Sequence, residues 1–497
     1  MTLSLRSVRW PAFAVIAAAG LFVCFWHLGR QGIVTDESAY VGAGWEYVHG
    51  VFTANLEHPP TAKYLYGVAQ LVMGQGYLGP RVVAAAATFA TGLVLFAWLL
   101  RPLGFWGALL AAGLWWLGPR GNAPDWMDPA SGSGARVDRL ALLEPVMVFF
   151  AVSSLAAGWA WIRTRSRWRF AWAALAGGAL GLAVTSKVTS AVLVVALIAL
   201  PLLFRRWWDL LVGGVVAAAG FAVAFVAVYQ PVGMVRAVSY MFEFQAAHDA
   251  EGHLVEIAGR SYPSAPWWAN LYFLAHGITV VLLVVLVVGI VVALVVRPGR
   301  LVAYLGIAIV ALGVFLCTAR VALPHYYDIW MPFLTALAAV GYTALWRTAR
   351  ARRGVSRRDG VVRAALSAVV VVALLASLFP VTQEVVRVAR TRPAGIALLQ
   401  HELDAHGASG TILFSSYGPP SWRPYFAGHA VSAPVPGRFG AIVQGTDARF
   451  PMPDAVRAFI RTNHDGLEHF DVDQLRVWVP RDGVIEIGAD RTMQLTR

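Results

Sequence analysis

The sequence predicts an α-helical polytopic membrane protein of about eleven transmembrane helices, followed by a small C-terminal α/β domain. Of its 497 residues, 58% are hydrophobic and only 13% are charged. The mean hydropathy is +0.62, whereas a soluble domain of this length is far more polar. Apolar stretches of about 17–25 residues recur, each long enough to cross roughly 30 Å of hydrocarbon. The two cysteines, Cys24 and Cys317, lie inside such stretches, so no disulfide framework is indicated.

The distribution of arginine predicts the topology. The net charge is +13, and most of the surplus lies in short loops between apolar stretches, which is typical of cytoplasmic loops rather than of a nucleic-acid-binding surface. Residues 163–169 hold four arginines, and residues 347–363 hold seven arginines against one aspartate. Placing these loops in the cytoplasm predicts spans near residues 11–28, 83–101, 104–118, 140–162, 170–186, 188–204, 209–229, 271–296, 301–318, 326–346 and 362–380.

Residues 61–78 are left out of these spans. The segment is moderately apolar but contains Lys63, Gln70 and Gln75, and counting it as a span would turn every later arginine-rich loop outward. It is predicted to be an amphipathic helix at the outer membrane surface, within a first outer loop of residues 29–81. A signal peptide is the alternative for the first span, but its apolar run is long and lacks a clear A-x-A cleavage site.

Residues 382–497 are predicted to form a separate extracytoplasmic α/β domain after a transmembrane module of residues 1–381. This tail contains 12 arginines and 12 acidic residues, so its charge balances. "GTILFSSY" and "LRVWVP" read as strands, and "MPDAVRAFIRTN" reads as a helix with Asp454 near its start. The domain is expected to bind or orient an acceptor, or to cover a site in the membrane module.

Lysine is rare in this chain. Among 40 basic residues, only Lys63 and Lys187 are lysines. Lys187 interrupts an apolar run at the outer turn between two predicted spans. An arginine could reach the lipid headgroups equally well, whereas a compact ammonium group is a point-charge partner for phosphate. We therefore predict that Lys187 binds a phosphate.

Other ionisable residues collect on the same predicted side. Asp36 and Glu37 follow the first span, and adjacent carboxylates can divide the roles of accepting a proton and binding a hydroxyl or cation; their alternative is a solvated loop start. Arg139 begins a span, where it binds a phosphate or reaches the headgroups. Glu144 lies about one and a half turns inside, where an acid is costly unless paired or facing a polar cavity.

The loop 230–269 contains the only cluster that could suggest a metal. Its candidate ligands are His248, Asp249, Glu251 and His253. Their spacing matches no standard metal site, so no metal is predicted.

The ordered set of motifs resembles the protein O-mannosyltransferases and the lipid A aminoarabinose transferases, which share the GT-C fold of polyprenyl-phosphate-sugar glycosyltransferases. The motifs are the Asp-Glu pair, "HPPTAK", Arg-x-x-x-x-acid at a span start and Gly-Leu-Ala-x-x-x-Lys, over roughly residues 10–345. Thr61 and Ala62 replace the Leu and Gly that are usual in the second motif. The lumenal β-trefoil module of the eukaryotic enzymes has no counterpart here, so the resemblance implies a bacterial member.

The resemblance implies a role for each matching residue. Asp36 would be the catalytic base, with Glu37 as the second catalytic acid of the pair. The residues implied for binding of the donor phosphate are Arg139, Lys187, Lys63 and Arg320. The residues implied for other substrate contacts are His58, Glu144, His325, Tyr326 and Tyr327.

The implied reaction moves a sugar from a polyprenyl phosphate to an acceptor hydroxyl of a glycan, lipid or protein outside the bacterial plasma membrane. One base and no covalent nucleophile imply inversion at the sugar. No cofactor is predicted, and a divalent cation, although compatible with the chemistry, has no support in the sequence.

Two other functions stay open. A transporter or flippase for a lipid-linked phosphate or sugar predicts ionisable residues along a path through the spans and an internal repeat. A non-catalytic protein that binds sugar-linked lipids predicts no cleavage of the donor.

Overall fold

The computed structural model describes residues 8–30, 35–121, 136–351, 357–391, 396–408, 410–415, 430–431, 435–445, 451–472 and 475–496. Over these residues the chain is mainly helical, with a β-sheet near its C-terminus. The helices are α1 (Arg9–Phe25), α2 (Thr35–Val48), α3 (Thr61–Met73), α4 (Leu78–Leu103), α5 (Phe105–Leu117), α6 (Leu143–Arg163), α7 (Trp168–Val184), α8 (Val194–Leu203), α9 (Gly214–Tyr229), α10 (Met234–Glu251), α11 (Ala269–Ile278), α12 (Val280–Val296), α13 (Arg300–Thr318), α14 (Met331–Ala351), α15 (Arg357–Ala389), α16 (Ile396–Ala405) and α17 (Asp454–Thr462). The strands are β1 (Val255–Ile257), β2 (Arg260–Tyr262), β3 (Thr411–Phe414), β4 (Ala430–Val431), β5 (Gly437–Gly445), β6 (Leu467–Val472), β7 (Leu475–Pro480), β8 (Val484–Ile487) and β9 (Met493–Thr496).

Each of the eleven predicted spans coincides with helical structure. Six helical stretches of the described chain are long and apolar enough to cross a membrane. The pair α11 and α12 would make a seventh as a broken span or re-entrant segment, because its halves meet at 107°. Three further apolar helices are shorter: Phe105–Leu117, Trp168–Val184 and Val188–Leu203. The helical, multi-span architecture is confirmed, and the number of spans stays a prediction.

Small residues bring neighbouring helices into close contact. A Cβ atom on Gly177 of α7 would collide with the backbone of Ala217 on α9, and one on Gly220 would collide with Ala174. Small residues are typical of such interfaces in membranes, where dispersion between closely packed backbones replaces the hydrophobic effect. A similar close contact between backbones joins α2 to α3, where Gly44 and Gly67 face each other.

Helix α3 occupies the segment predicted to lie at the membrane surface, but it ends at Met73 instead of residue 78. It stops there because Gly74 adopts a φ of 90°, which a residue with a Cβ rarely adopts. Lys63 and Gln70 are buried, while Val72 is 80% exposed. The polar side of α3 therefore faces the protein and its apolar side faces outward.

The C-terminal region has the predicted α/β character. Its sheet has the strand order β4-β3-β5-β7-β6, and β8 pairs with both β5 and β9. Strands β3 and β5 are parallel, and β5, β7 and β6 are antiparallel. Leu399 and Leu403 of α16 pack on one face of the sheet, and Val456 and Phe459 of α17 pack on the other. The predicted strands "GTILFSSY" and "LRVWVP" correspond to β3 and β7, and the predicted helix corresponds to α17.

Candidate active site

A buried ion pair between Lys187 and Glu144 forms the centre of the candidate site. Lys187 lies in the turn that follows α7, and Glu144 lies in the first turn of α6. The Lys187 Nζ donates a hydrogen bond to Glu144 Oε1, and the two side chains are 10% and 3% exposed. Neither charge could be buried alone without a penalty of several kcal/mol. Of the two expectations for Glu144, a charged partner or a polar cavity, the structure shows the charged partner.

Two residues of the segment between α13 and α14, His325 and Tyr326, complete this cluster. His325 Nε2 lies 3.3 Å from Glu144 Oε1. The Lys187 Nζ lies 3.7 Å from the centroid of the Tyr326 ring, which is a cation–π contact. The second carboxylate oxygen of Glu144 and the Nδ1 of His325 make no hydrogen bond to any described residue. Residues 144, 187, 325 and 326 are hereafter the lysine cluster.

Asp36 lies half-buried in the first turn of α2, and it interacts electrostatically with Lys187 and Tyr326 of the lysine cluster. Burial alone would lower the pKa of Lys187, but the negative charge of Glu144, supported by Asp36, outweighs burial and raises the pKa above its usual value. Lys187 is therefore a permanent cation at neutral pH. The electrostatic effect of Asp36 on Lys187 agrees with the predicted convergence of these two residues, and their roles stay predictions.

The carboxylate of Glu37 is bound by hydrogen bonds within the protein. Arg81 Nε and Nη2 donate to its two carboxylate oxygens at 2.7 Å each, and the Ala141 N–H donates to Oε1 at 2.7 Å. Both charged side chains are fully buried. The contacts tie α2 to α4 and to the segment before α6, so Glu37 fixes the helix turn that carries Asp36. Arg81 was not among the predicted site residues; its only sequence signal is a charge at the beginning of an apolar stretch.

Lys63 binds the turn that precedes α3. Its Nζ donates to the carbonyl oxygen and the Oδ1 of Asn55 and to the carbonyl oxygen of His58. It also lies 5.0 Å from the centroid of the Tyr47 ring. These three hydrogen bonds match the three donors of an ammonium group. Burial, opposed by Glu57, lowers the pKa of Lys63 to about 7.

His58 packs edge-to-face on Tyr40, with ring centroids 5.4 Å apart. Burial and the charges of Lys187 and Lys63 lower the pKa of His58 to about 3. The imidazole is therefore neutral at physiological pH, and it stands near both lysines of the chain.

Three predicted site residues make their contacts outside the lysine cluster. Arg139 is buried and donates from Nη1 to the Val23 carbonyl at 2.8 Å, while its Nε and Nη2 have no partner among the described residues. Tyr327 donates to the Gly121 carbonyl at 2.8 Å. Arg320 is exposed and donates from its backbone N–H to Asp249 Oδ1 at 2.9 Å and from Nη1 to a carbonyl oxygen at 2.6 Å.

A second buried charge network was missed by sequence reasoning. Arg120 Nη1 lies 2.6 Å from Asp138 Oδ2, and Arg136 Nε lies 2.7 Å from Asp138 Oδ1. Arg136 Nη1 also lies 3.3 Å from Glu384 Oε1. The network joins the segment before α6 to α15, with Asp328 3.6 Å from Arg120 at its edge. The partners are up to 248 residues apart, so no local pattern indicates them.

Comparisons with known proteins show which sequences this chain is similar to. A family model described as dolichyl-phosphate-mannose-protein mannosyltransferase matches residues 135–242, which include Arg139, Glu144 and Lys187. The undecaprenyl phosphate-alpha-4-amino-4-deoxy-L-arabinose arabinosyl transferase of Pseudomonas aeruginosa is 29% identical over 283 residues, which are 54% of this chain and 48% of the relative. The chain therefore spans about half the length of the curated relatives it matches.

Solved structures establish the fold. ArnT from Cupriavidus metallidurans, in its crystal structure bound to undecaprenyl phosphate, has a TM-score of 0.62 at 16% identity, covering 96% of this chain and 98% of that one. The Archaeoglobus fulgidus oligosaccharyltransferase, tethered to an acceptor peptide, has a TM-score of 0.52 at 11% identity, covering 88% and 69%. The chain is a multi-pass membrane protein with the GT-C fold, and the resemblance seen in its motifs is confirmed.

Proposed function

We propose that this protein is a membrane glycosyltransferase that moves a sugar from a polyprenyl phosphate to an acceptor hydroxyl at the extracytoplasmic side of a bacterial plasma membrane. The observation that carries the proposal is the lysine cluster together with Asp36, whose charge acts on Lys187. A permanently charged ammonium and a half-buried carboxylate at one site are the groups that this reaction needs. The names of the similar proteins, which describe transfer from undecaprenyl or dolichyl phosphate sugars, support the same chemistry.

Lys187 binds the donor phosphate. An ammonium group has three N–H donors; Glu144 takes one and Tyr326 also contacts the ammonium, and a remaining donor binds a phosphate oxygen. The phosphate is the leaving group, and a preorganised cation beside it is typically worth about 3–4 kcal/mol at the transition state. Arg139 is fully buried and makes its hydrogen bond outside the lysine cluster, so its phosphate contact stays a prediction of the motif resemblance alone.

Asp36 is the general base. It accepts the proton of the acceptor hydroxyl while that oxygen attacks the anomeric carbon, and the bond from that carbon to the phosphate oxygen breaks. General-base catalysis contributes about 10²–10⁴-fold. Since no covalent nucleophile takes part, the configuration at the sugar is inverted. Glu37, whose oxygens are occupied by Arg81 and Ala141, acts as a positioning residue for Asp36.

Glu144, His325 and Tyr326 position Lys187 and contact the donor head. The free Oε2 of Glu144 accepts hydrogen bonds from sugar hydroxyls. The Tyr326 ring fixes the position of the Lys187 ammonium through the cation–π contact. Lys63, Arg320 and Tyr327 form hydrogen bonds to backbone and side-chain atoms of the protein, which favours structural roles for these three residues. His58 lines the site as a neutral side chain.

The test is a reaction of the purified protein in vesicles with a polyprenyl phosphate carrying a labelled sugar. Transfer releases polyprenyl phosphate and labels an acceptor, whereas a transporter or a binding protein leaves the sugar–phosphate bond intact. Mass spectrometry of co-purified lipids, together with envelope glycans of a deletion strain, would identify the sugar and the glycan, lipid or protein acceptor. Intact donor after long incubation with envelope extract would refute the proposal.

A further inference from the structure

A cavity of about 900 Å³ lies among α4, α6, α7, α13 and α14, near the end of α8. Four arginines line it: Arg101 at the end of α4, Arg163 at the end of α6, and Arg297 and Arg300 before and at the start of α13. These residues belong to three of the loops that the charge pattern predicts to be cytoplasmic. The fold brings those loops together around one space.

The positive charge of this cavity is uncompensated within the described part of the chain. None of the described residues that line it is acidic, and none of its four arginines forms an ion pair with a described carboxylate. Neighbouring arginines on the same side behave differently: Arg206 Nε lies 2.5 Å from Asp209 Oδ2. Four unpaired guanidinium groups around one space concentrate an attractive potential for anions.

The inner wall of the cavity is aromatic and apolar. Trp98, Trp159, Trp172 and Phe204 line it, and the guanidinium of Arg300 lies 4.6 Å from the centroid of the Phe204 ring. Trp98 is 7% exposed, and its indole N–H has no hydrogen-bond partner among the described residues. A cationic rim over a tryptophan-rich wall is suited to an amphiphile, with a phosphate at the rim and acyl chains along the wall.

The cavity is separate from the lysine cluster. Helix α6 contains 21 residues, so its two ends lie about 30 Å apart. Glu144 is at one end and Arg163 is at the other. This separation matches the thickness of the hydrocarbon core, which sets the cavity at the opposite membrane surface.

We propose that this cavity binds the headgroup of an anionic phospholipid of the cytoplasmic leaflet, with a preference for headgroups that carry two phosphates, as cardiolipin does. Four guanidinium groups exceed what a single phosphate monoanion would engage, and basic pockets between helices at this surface are suited to such headgroups. The site is independent of the reaction at the lysine cluster.

The test measures lipid binding by the full chain in phosphatidylcholine nanodiscs that contain cardiolipin, phosphatidylglycerol or undecaprenyl phosphate. The double variant Arg101→Gln with Arg163→Gln should weaken cardiolipin binding by about tenfold or more, since each guanidinium–phosphate contact is charge-assisted. The matched control is Arg165→Gln with Arg167→Gln, which removes the same charge from exposed positions of the loop after Arg163 that do not line the cavity. Its binding should stay within about twofold of the wild type.

A second measurement needs no variant. A photoactivatable cardiolipin should label peptides that contain residues 94–103, 153–164 and 297–302 of the wild-type protein. Competition by millimolar inorganic phosphate alone would assign the site to a free anion, and stronger binding of undecaprenyl phosphate would assign it to the donor lipid. Either result, or equal losses in the two double variants, would overturn the proposal.

Discussion

Lys187 illustrates how one residue can be both buried and charged. Its ammonium is surrounded by the Glu144 carboxylate, the face of Tyr326 and the more distant charge of Asp36. These groups balance part of the positive charge, and the ammonium group keeps an N–H donor for a ligand. An arginine at this position would carry a larger, planar group that binds carboxylates in a bidentate manner, which would engage both oxygens of Glu144 and leave less for a phosphate.

Replacing Asp36 with asparagine tests the general base. We expect turnover to fall by about 10²–10⁴-fold with donor binding unchanged, because the amide cannot accept the proton. The measurement is the single-turnover rate together with the donor Kd. Glu46→Gln, an exposed carboxylate of the same helix, is the control and should keep wild-type rates. Normal turnover by Asp36→Asn would remove the assignment.

Replacing Lys187 with methionine tests the phosphate contact. Donor binding should weaken, and stability should fall by about 3–5 kcal/mol because Glu144 is left buried without a partner. The double variant Lys187→Met with Glu144→Gln should recover much of the stability without recovering donor binding. Donor binding that recovers together with stability would show that Lys187 acts only through the fold.

The low pKa of His58 predicts how the stability of the protein depends on pH. The folded protein holds this imidazole neutral down to about pH 3, whereas the unfolded chain takes up its proton near pH 6.5. Between these values the unfolded state binds more protons, so stability falls as the pH falls, by at most about 1.4 kcal/mol per pH unit from this group. His58→Gln should show a shallower loss between pH 6 and pH 4 in thermal unfolding, and identical slopes would contradict the assignment.

At the scale of the element, α2 carries the proposed base and is fixed at two places. Its first turn is bound to α4 and to the segment before α6 through Glu37. Farther along, Gly44 allows α3 to approach so closely that a side chain at either glycine would collide with the other helix. The position of Asp36 is therefore determined by helix packing on both sides.

Glu37→Gln tests this positioning role. It removes the carboxylate that is bound to the buried Arg81 by two hydrogen bonds, so the protein should lose about 3–5 kcal/mol of stability. A structural effect alone would lower only the folded fraction, whereas a positioning effect also lowers the rate of the folded enzyme. We expect kcat to fall with little change in the donor Kd, measured well below the unfolding temperature. Unchanged kcat in the folded variant would limit Glu37 to stability.

At the scale of the whole molecule, charge is divided between the two ends of the helical bundle. The lysine cluster lies at the end where α6 begins, and the arginine-lined cavity lies at the end where α6 finishes. A third group, the Arg136–Asp138–Glu384 network, links the segment before α6 to α15, the 33-residue helix that leads towards the C-terminal sheet. Long-range ion pairs thus join parts of the chain that are remote in sequence.

Glu384→Gln tests this link. The change removes the counter-charge that Glu384 shares between Arg136 and Arg387, so stability should fall by about 3–5 kcal/mol. Hydrogen exchange in the last turns of α15 should accelerate, because that part of the helix loses its contact with the bundle. Glu402→Gln, on the half-exposed surface of α16, is the control. Equal exchange in both variants would contradict a linking role.

The features that depend on consecutive residues were predictable. All eleven predicted spans coincide with helical structure because about twenty adjacent apolar residues decide a span. Strands β3 and β7 and helix α17 were predictable from alternation and from a capping signal in the same way. The end of α3 at Met73 was missed by five residues, since Gly74 terminates the helix before the apolar character fades.

The sequence by itself determined the membrane class, the helical segments and the set of ionisable residues from which the site is built, because each of these is a property of local composition. Only the tertiary structure decided which of those ionisable residues contact one another. Lys187 pairs with Glu144 from 43 residues away, Glu37 is bound by Arg81, and the hydrogen bonds of Lys63 go to its own loop. The physical reason is that a buried charge takes whichever partner the packing of the helices brings within reach, and that partner is set by the fold instead of by neighbours in the chain.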